Sequence, residues 1–299
     1  MALASYSLLS VTRKLGAHYI EKVGDDNFFT ENVLAICLPF GNSLGYCIKL
    51  KYFNNKYYLS IIHIVSDTEG VGIICLFDSI KEIFDNNMSM FIDILHILSL
   101  HGNTLNGFET IFQSITINKE ILTEIDNIQS AIISLFINKK IFILDSNYQI
   151  FSIICSLIEL LPEKFHFFLN FTINSNSFTE NVTIMSIQHT KELVDQLDDL
   201  NKEKNTIIDI KNRICFGIYS APIFVDIMKN LKKQNIDKVR EIFTNLELLI
   251  FEDSKIGLKY SEVSKKYRIS KTDFKLIEEI RFILLDIPQH VNLFEALIK

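Results

Sequence analysis

The stretch Ile137–Phe171, INKKIFILDSNYQIFSIICSLIELLPEKFHFFLNF, decides how this chain is read. Lys140–Leu144 is a short run of β-branched and aromatic residues, which predicts a buried strand. Asp145-Ser146-Asn147 makes a turn. Tyr148–Leu161 is long enough and apolar enough for a helix packed on that strand, and Pro162 stops it. Phe167–Ile173 then predicts a second strand. Strand, helix and strand in this order make half of an α/β layer. The turn has no glycine with which to cradle a phosphate, so the unit reads as a structural centre rather than a nucleotide site.

The 299 residues around it suffice for two or three compact domains. With only 4 Pro and 10 Gly there is little material for flexible linkers, so the parts should be joined tightly. A formal charge of −6 gives no global basic footprint for nucleic acid. The cysteines Cys37, Cys47, Cys75, Cys155 and Cys215 form no CxxC pair, and most sit in apolar runs where a reduced thiol acts as a small hydrophobe. That usage predicts a reducing compartment. The start, MALASYSLLSVTRK, lacks a basic n-region and a long apolar core, and no run has the length of a membrane span. The expectation is a cytoplasmic protein with no transmembrane segment.

Ser5–Val11 and Gly16–Val23 predict a β-hairpin turning through Arg13-Lys14-Leu15-Gly16. Asp25-Asp26-Asn27 offers an N-cap for a helix over Phe28–Leu38. Leu44–Phe53, Lys56–Val65 and Val71–Phe77 follow as a meander with short polar turns. A long helix is expected over Ile80–Leu100, capped by Asp78 or Ser79. After a connecting segment, 106–130, the central unit continues past its second strand with a strand at Asn181–Ile187, an acidic amphipathic helix at His189–Glu203 and a short strand at Thr206–Ile210. Beyond residue 211 the pattern is helical: a helix with Pro222 in its first turn, another over Ile236–Phe251, and three shorter segments at Tyr260–Tyr267, Thr272–Leu285 and His290–Ile298.

The order β-β-α-β-β-β-α over residues 1–103 resembles a longin domain, a relative of the roadblock fold. The run KKIFILDSNYQIFSIICSLIELLPEKFHFFLNFTIN is similar to the central segment of the DENN module and to the middle region of bacterial and archaeal GTPase-associated regulators, in which a leucine-rich helix ends in "LLP" before an "FT" strand. Those residues here are Leu160-Leu161-Pro162 and Phe171-Thr172. The resemblance implies a multidomain α+β and α/β protein: a longin-like domain over 1–105, a DENN-like α/β unit over 106–210 and a helical region over 211–299. It also implies a small Ras-like GTPase as partner, an activating, exchange or scaffolding role, dimerisation with a like or unlike chain through the longin-like part, and membrane recruitment, if any, through a partner. Some such proteins supply an arginine finger, which makes Arg13 and Arg213 the candidate catalytic residues; both also read as ordinary surface arginines.

Site chemistry of other kinds finds little purchase. Gly41-Asn42-Ser43-Leu44-Gly45 lacks the lysine of a P-loop and reads as a turn. His96 and His101 are five apart, not four, and His63, His166 and His189 are isolated, so no metal is expected. No GxSxG occurs, and paired carboxylates fall on caps or solvated helix faces, so no intrinsic enzyme activity and no cofactor are expected. One basic stretch stands out. Residues 257–287 resemble a helix-turn-helix and carry Lys265, Lys266, Arg268 and Lys271, giving DNA regulation as one alternative function, beside an interaction or adaptor protein with no GTPase partner. The plainer reading is the solvated face of a helical bundle, given the Ile and Leu of the second helix and Glu278-Glu279.

Overall fold

The computed structural model describes residues 5–12, 16–24, 26–38, 45–84, 89–101, 129, 131–132, 134–135, 140–144, 150–173, 182–187, 205–210, 212, 214–216, 222–252, 265, 270–275 and 277–278. Ten strands form one mixed sheet. They are β1 (Tyr6–Thr12), β2 (Gly16–Val23), β3 (Gly45–Phe53), β4 (Lys56–Ile64), β5 (Gly70–Phe77), β6 (Ile141–Leu144), β7 (Phe171–Ile173), β8 (Ile184–Ile187), β9 (Thr206–Asp209) and β10 (Ile214–Phe216), in the spatial order β10-β9-β6-β8-β7-β3-β4-β5-β1-β2. The first five strands are antiparallel throughout. β7, β8, β6 and β9 run parallel to one another, and β10 returns antiparallel on β9. One antiparallel ladder, β3 on β7, joins the two halves.

The N-terminal half follows the expected element order. β3 and β4 turn through Asn54 and Asn55, both with positive φ (49° and 61°), a conformation that asparagine tolerates and tight hairpins need. Gly70 opens β5 where an added Cβ would lie 2.8 Å from the His63 carbonyl oxygen and 2.9 Å from that of Val11, so only glycine fits. The first helix is shorter than expected. A 3-10 turn covers Asp26–Phe28, and α1 (Glu31–Cys37) begins only after Thr30, whose side chain accepts from the Val33 N–H. The long helix after β5 is two helices, α2 (Ile80–Ile83), capped by Ser79, and α3 (Ser89–His101). The helical path stops at Phe84, just before the polar Asp85-Asn86-Asn87, residues that compete with a helix for its own backbone.

In the second half α4 (Ile150–Leu160) packs on β6, as the opening stretch predicts. The strand expected over Phe167–Ile173 is shorter: a 3-10 helix covers Glu163–Phe168, and β7 keeps only three residues. Consecutive strand residues alternate between faces, whereas the tighter turn sends Phe165, Phe167 and Phe168 into one core. The region after 211 is not wholly helical. Asp209 accepts from both the backbone and the side-chain amide of Asn212 (2.9 and 2.7 Å), and this turn returns the chain as β10. α5 (Pro222–Lys232) and α6 (Ile236–Glu247) follow, and α6 ends in a π-helical turn, Leu248–Glu252. The predicted turn 145–147, the helix 189–203 and most of the tail lie outside the described residues.

One core spans both halves. On one sheet face, Leu8, Leu50, Leu59, Ile73, Ile143, Phe171 and Ile208 belong to a single buried cluster with α2, α3 and α4, and with Phe224, Val239 and Phe243 of α5 and α6. Phe171 sits at the junction, its ring 6.1 Å from Phe84 and 6.3 Å from Phe151. The opposite face carries two separate clusters, one under α1 (Leu9, Val33, Cys37, Tyr58, Ile74) and one on the parallel half (Phe142, Met185, Ile207). No helix among the described residues is long and apolar enough to cross a membrane.

Candidate functional site

What separates those two clusters is polar. A single register row crosses the sheet through Ile207, Phe142, Met185, Thr172, Lys49, Ser60 and Ile74, one residue from each of seven neighbouring strands. The pleat puts all of them on the α1 side, because their strand neighbours Phe171, Ile48, Leu50, Leu59 and Ile61 belong to the other face. The row is apolar at both ends and polar in the middle. Lys49 is 1% exposed, and Thr172 and Ser60 are fully buried. Lys51, two residues on along β3, is buried on the same face.

These groups close the end of α1. The Lys49 ammonium donates to the Leu38 carbonyl (2.8 Å), and the Ser60 hydroxyl donates to the Cys37 carbonyl (2.6 Å). Both acceptors are carbonyls that the last helical turn cannot satisfy itself. A cation is also favoured at that end by the helix dipole. On the β7 side, Cys47 donates through sulfur to the Ile173 carbonyl at 3.0 Å. The polar row therefore fastens α1 to β3 and β4 at the line where the two halves of the sheet meet.

Among the cysteines whose titration is perturbed, no thiolate is prepared. Burial pushes the Cys37 thiol up to about 12, and Lys49 and Lys51 pull it down only in part. Burial and then Glu159 raise Cys155 to about 12, and burial raises Cys75. Thiols so placed stay protonated at neutral pH and are poor nucleophiles. His166 is fully buried, with Nε2 3.0 Å from the Leu161 carbonyl and 3.2 Å from that of Ile158, so the ring donates into the open end of α4. Burial lowers its pKa, and Nδ1 has no partner. Through Nε2 the ring caps the end of α4. No group of three or more metal-binding side chains forms among the described residues.

No protein-family model matches the chain, and no curated protein is significantly similar to it.

Of the residues singled out by sequence, Arg13, Arg213, Lys266 and Arg268 lie outside the described residues. Lys265 and Lys271 are exposed. The segment around Lys271 is tied to the body of the protein. Asp273, 6% exposed, accepts from the Ile223 N–H at the start of α5 (2.8 Å) with one carboxylate oxygen and from the Ser270 hydroxyl (2.6 Å) with the other. Ser270 Oγ in turn accepts from the Asp273 N–H while the Ser270 N–H donates to the Asp273 carboxylate (3.3 Å), the reciprocal arrangement of a capping box. One carboxylate thus serves the first turns of two helices. Phe274 and Ile277 point into the core, leaving Lys271, Thr272, Lys275 and Glu278 outward.

Sequence reasoning missed the polar row. Ile48-Lys49-Leu50-Lys51 alternates as a strand with one wet face does. Nothing local says that α1 and a neighbouring strand bury the lysines. The Asp273 bridge was likewise hidden, although Ser270-Lys271-Thr272-Asp273 carries the S-x-x-D spacing that could have revealed it.

Proposed function

We propose that this chain is a non-metabolic regulator or scaffold of the longin/DENN kind that works by binding a small Ras-like GTPase in the cytoplasm. The observation that carries the reading is the junction itself: a five-stranded antiparallel sheet in the element order β-β-α-β-β-β-α, continued through β3 and β7 into a parallel α/β sheet. The shared core makes these halves one rigid platform, which suits a protein that acts by presenting surfaces. An arginine finger at Arg13 or Arg213 would add transition-state stabilisation worth about 10³–10⁵ in hydrolysis rate.

The test is binding of the full chain to a panel of small GTPases in GDP and GTP states, with hydrolysis and exchange rates measured alongside. State-dependent binding supports the reading. Failure to bind any member, with neither rate altered, removes it. Where hydrolysis is stimulated, Arg13→Ala and Arg213→Ala decide whether a finger exists.

DNA regulation is the alternative, favoured by the exposed Lys265 and Lys271. The capping of Ser270 and Asp273 onto α5 counts against it, since it commits the first turn of the would-be recognition helix to the protein. A salt-dependent gel shift lost on replacing Lys265, Lys266 and Arg268 would favour DNA.

A further inference from the structure

The two edges of the sheet differ. β10 is three residues long, whereas β2 runs for eight and is bonded on one side only, to β1, among the described strands. An open edge of that length is a template for another strand. Midway along it Ile20 is 63% exposed, flanked by the exposed side chains of His18, Glu21 and Lys22. Ile20 is also the extra residue of a β-bulge: Leu9 faces Tyr19 and Leu8 faces Glu21, so Ile20 has no opposite number.

The bulge gives the free edge a twofold pattern. The Leu76 N–H bonds the Ser5 carbonyl, and alternation along β1 then turns Tyr6, Leu8, Ser10 and Thr12 towards β2. The backbone groups of Ala17, Tyr19 and Lys22 are left facing outward. Side chains follow the same switch. His18 and Glu21 lie opposite Ser10 and Leu8, on the main-core face, while Ala17, Tyr19 and Lys22 lie on the α1 face. In an uninterrupted strand, residues three apart occupy opposite faces; across this bulge they share one.

We infer that β2 is a self-association edge, on which a second copy of this chain docks antiparallel about a twofold axis beside Ile20. In that register Ala17 meets Lys22 of the second copy, both with outward backbone groups, and exchanges two hydrogen bonds with it. The twofold axis repeats the exchange. His18 meets Glu21, imidazole donor against carboxylate, also twice. Ile20 alternates away from Tyr19 onto the main-core face, beside Glu21, where it meets Ile20 of the second copy at the axis. A bulge ordinarily interrupts an edge, but here both interruptions fall together at the axis. Slipping each strand by one residue puts His18 opposite Val23 and loses both His18–Glu21 pairs. The result is a sheet continuous through both copies. A single ladder is small for an interface, so the dimer is weak and forms at high chain concentration. The inference does not rest on the GTPase reading.

The test is sedimentation equilibrium of the full chain over a wide concentration range, with thermal melting of each variant as the folding control. Reversible dimerisation is expected, lost in Ile20→Asp. His18→Glu sets like charges against each other twice and should weaken association about tenfold. Combining it with Glu21→Lys sets a carboxylate at position 18 against an ammonium at position 21, opposite charges, and should restore the dimer. A chain that stays monomeric overturns the inference, even if its edge captures an extended peptide. So does a dimer indifferent to Ile20→Asp, or a charge reversal that rescues nothing.

Discussion

The antiparallel and parallel halves of the sheet share a backbone ladder of only three residue pairs, against nine between β3 and β4. On one face they also share an unbroken apolar core; on the other they are divided by Thr172, Lys49 and Ser60. The same sheet is thus joined on one side and partitioned on the other. Cohesion between the halves comes from side chains of the continuous face. On the divided face Lys49 and Ser60 tie α1 to the antiparallel half.

Phe171 puts that division under the greatest stress. Phe171→Ala removes a ring that touches both Phe84 and Phe151 and should cost about 3–5 kcal/mol. Chemical denaturation followed by probes in both halves should show them losing stability together. Separate transitions, with only one half weakened, would break the picture of a shared core. Lys49 probes the other face. Lys49→Ala strands the Leu38 carbonyl and empties the space of the stem, for about 2–3 kcal/mol. Lys49→Met also strands the Leu38 carbonyl but keeps the stem and removes the buried charge, and should cost about 1 kcal/mol, less than alanine. A methionine variant as damaged as the alanine one would mean that the ammonium, not the packing, holds α1. Thr30→Ala, at the far end of α1, should cost about 1 kcal/mol. Its effect on hydrogen exchange should stay within α1 and leave the parallel half unchanged.

The smallest effect at neutral pH belongs to His166. Its folded pKa lies below the ordinary 6.5 because burial disfavours the charged ring. Between the two values the unfolded chain binds more protons, so stability is whole above about 6.5, declines as pH falls, and levels off below the folded pKa. Burial lowers His63 too, with the same sign. Denaturation midpoints of His166→Gln across this range should therefore show a shallower slope, not a flat line. An unchanged slope would mean that the cap at α4 does not titrate.

The antiparallel half was legible because its strands are seven to nine residues long where the turns are polar, and Asn54-Asn55 announces its hairpin. The centre was legible for a different reason: an eleven-residue helix with a proline stop leaves few alternatives for the runs on either side. The three-residue strands were not. β10 is too short to show alternation, and β7 shares its apolar run with a 3-10 turn. The burial of Lys49 was illegible because it depends on β7, whose residues stand far along the chain. Candidate residues chosen for their chemistry alone, Arg13 and Arg213 among them, had no such local geometry to be read from.

That distance along the chain has a consequence for how the protein is made. Cys47 and Thr172 touch across a separation of 125 residues. The antiparallel meander emerges from the ribosome long before β7 exists, and its local hairpins can form early. Until β7 arrives, the outer edge of β3 stands unpaired, with Lys49 and Lys51 spaced along it on the α1 side. Two lysines along an unfinished edge discourage premature pairing with other nascent chains.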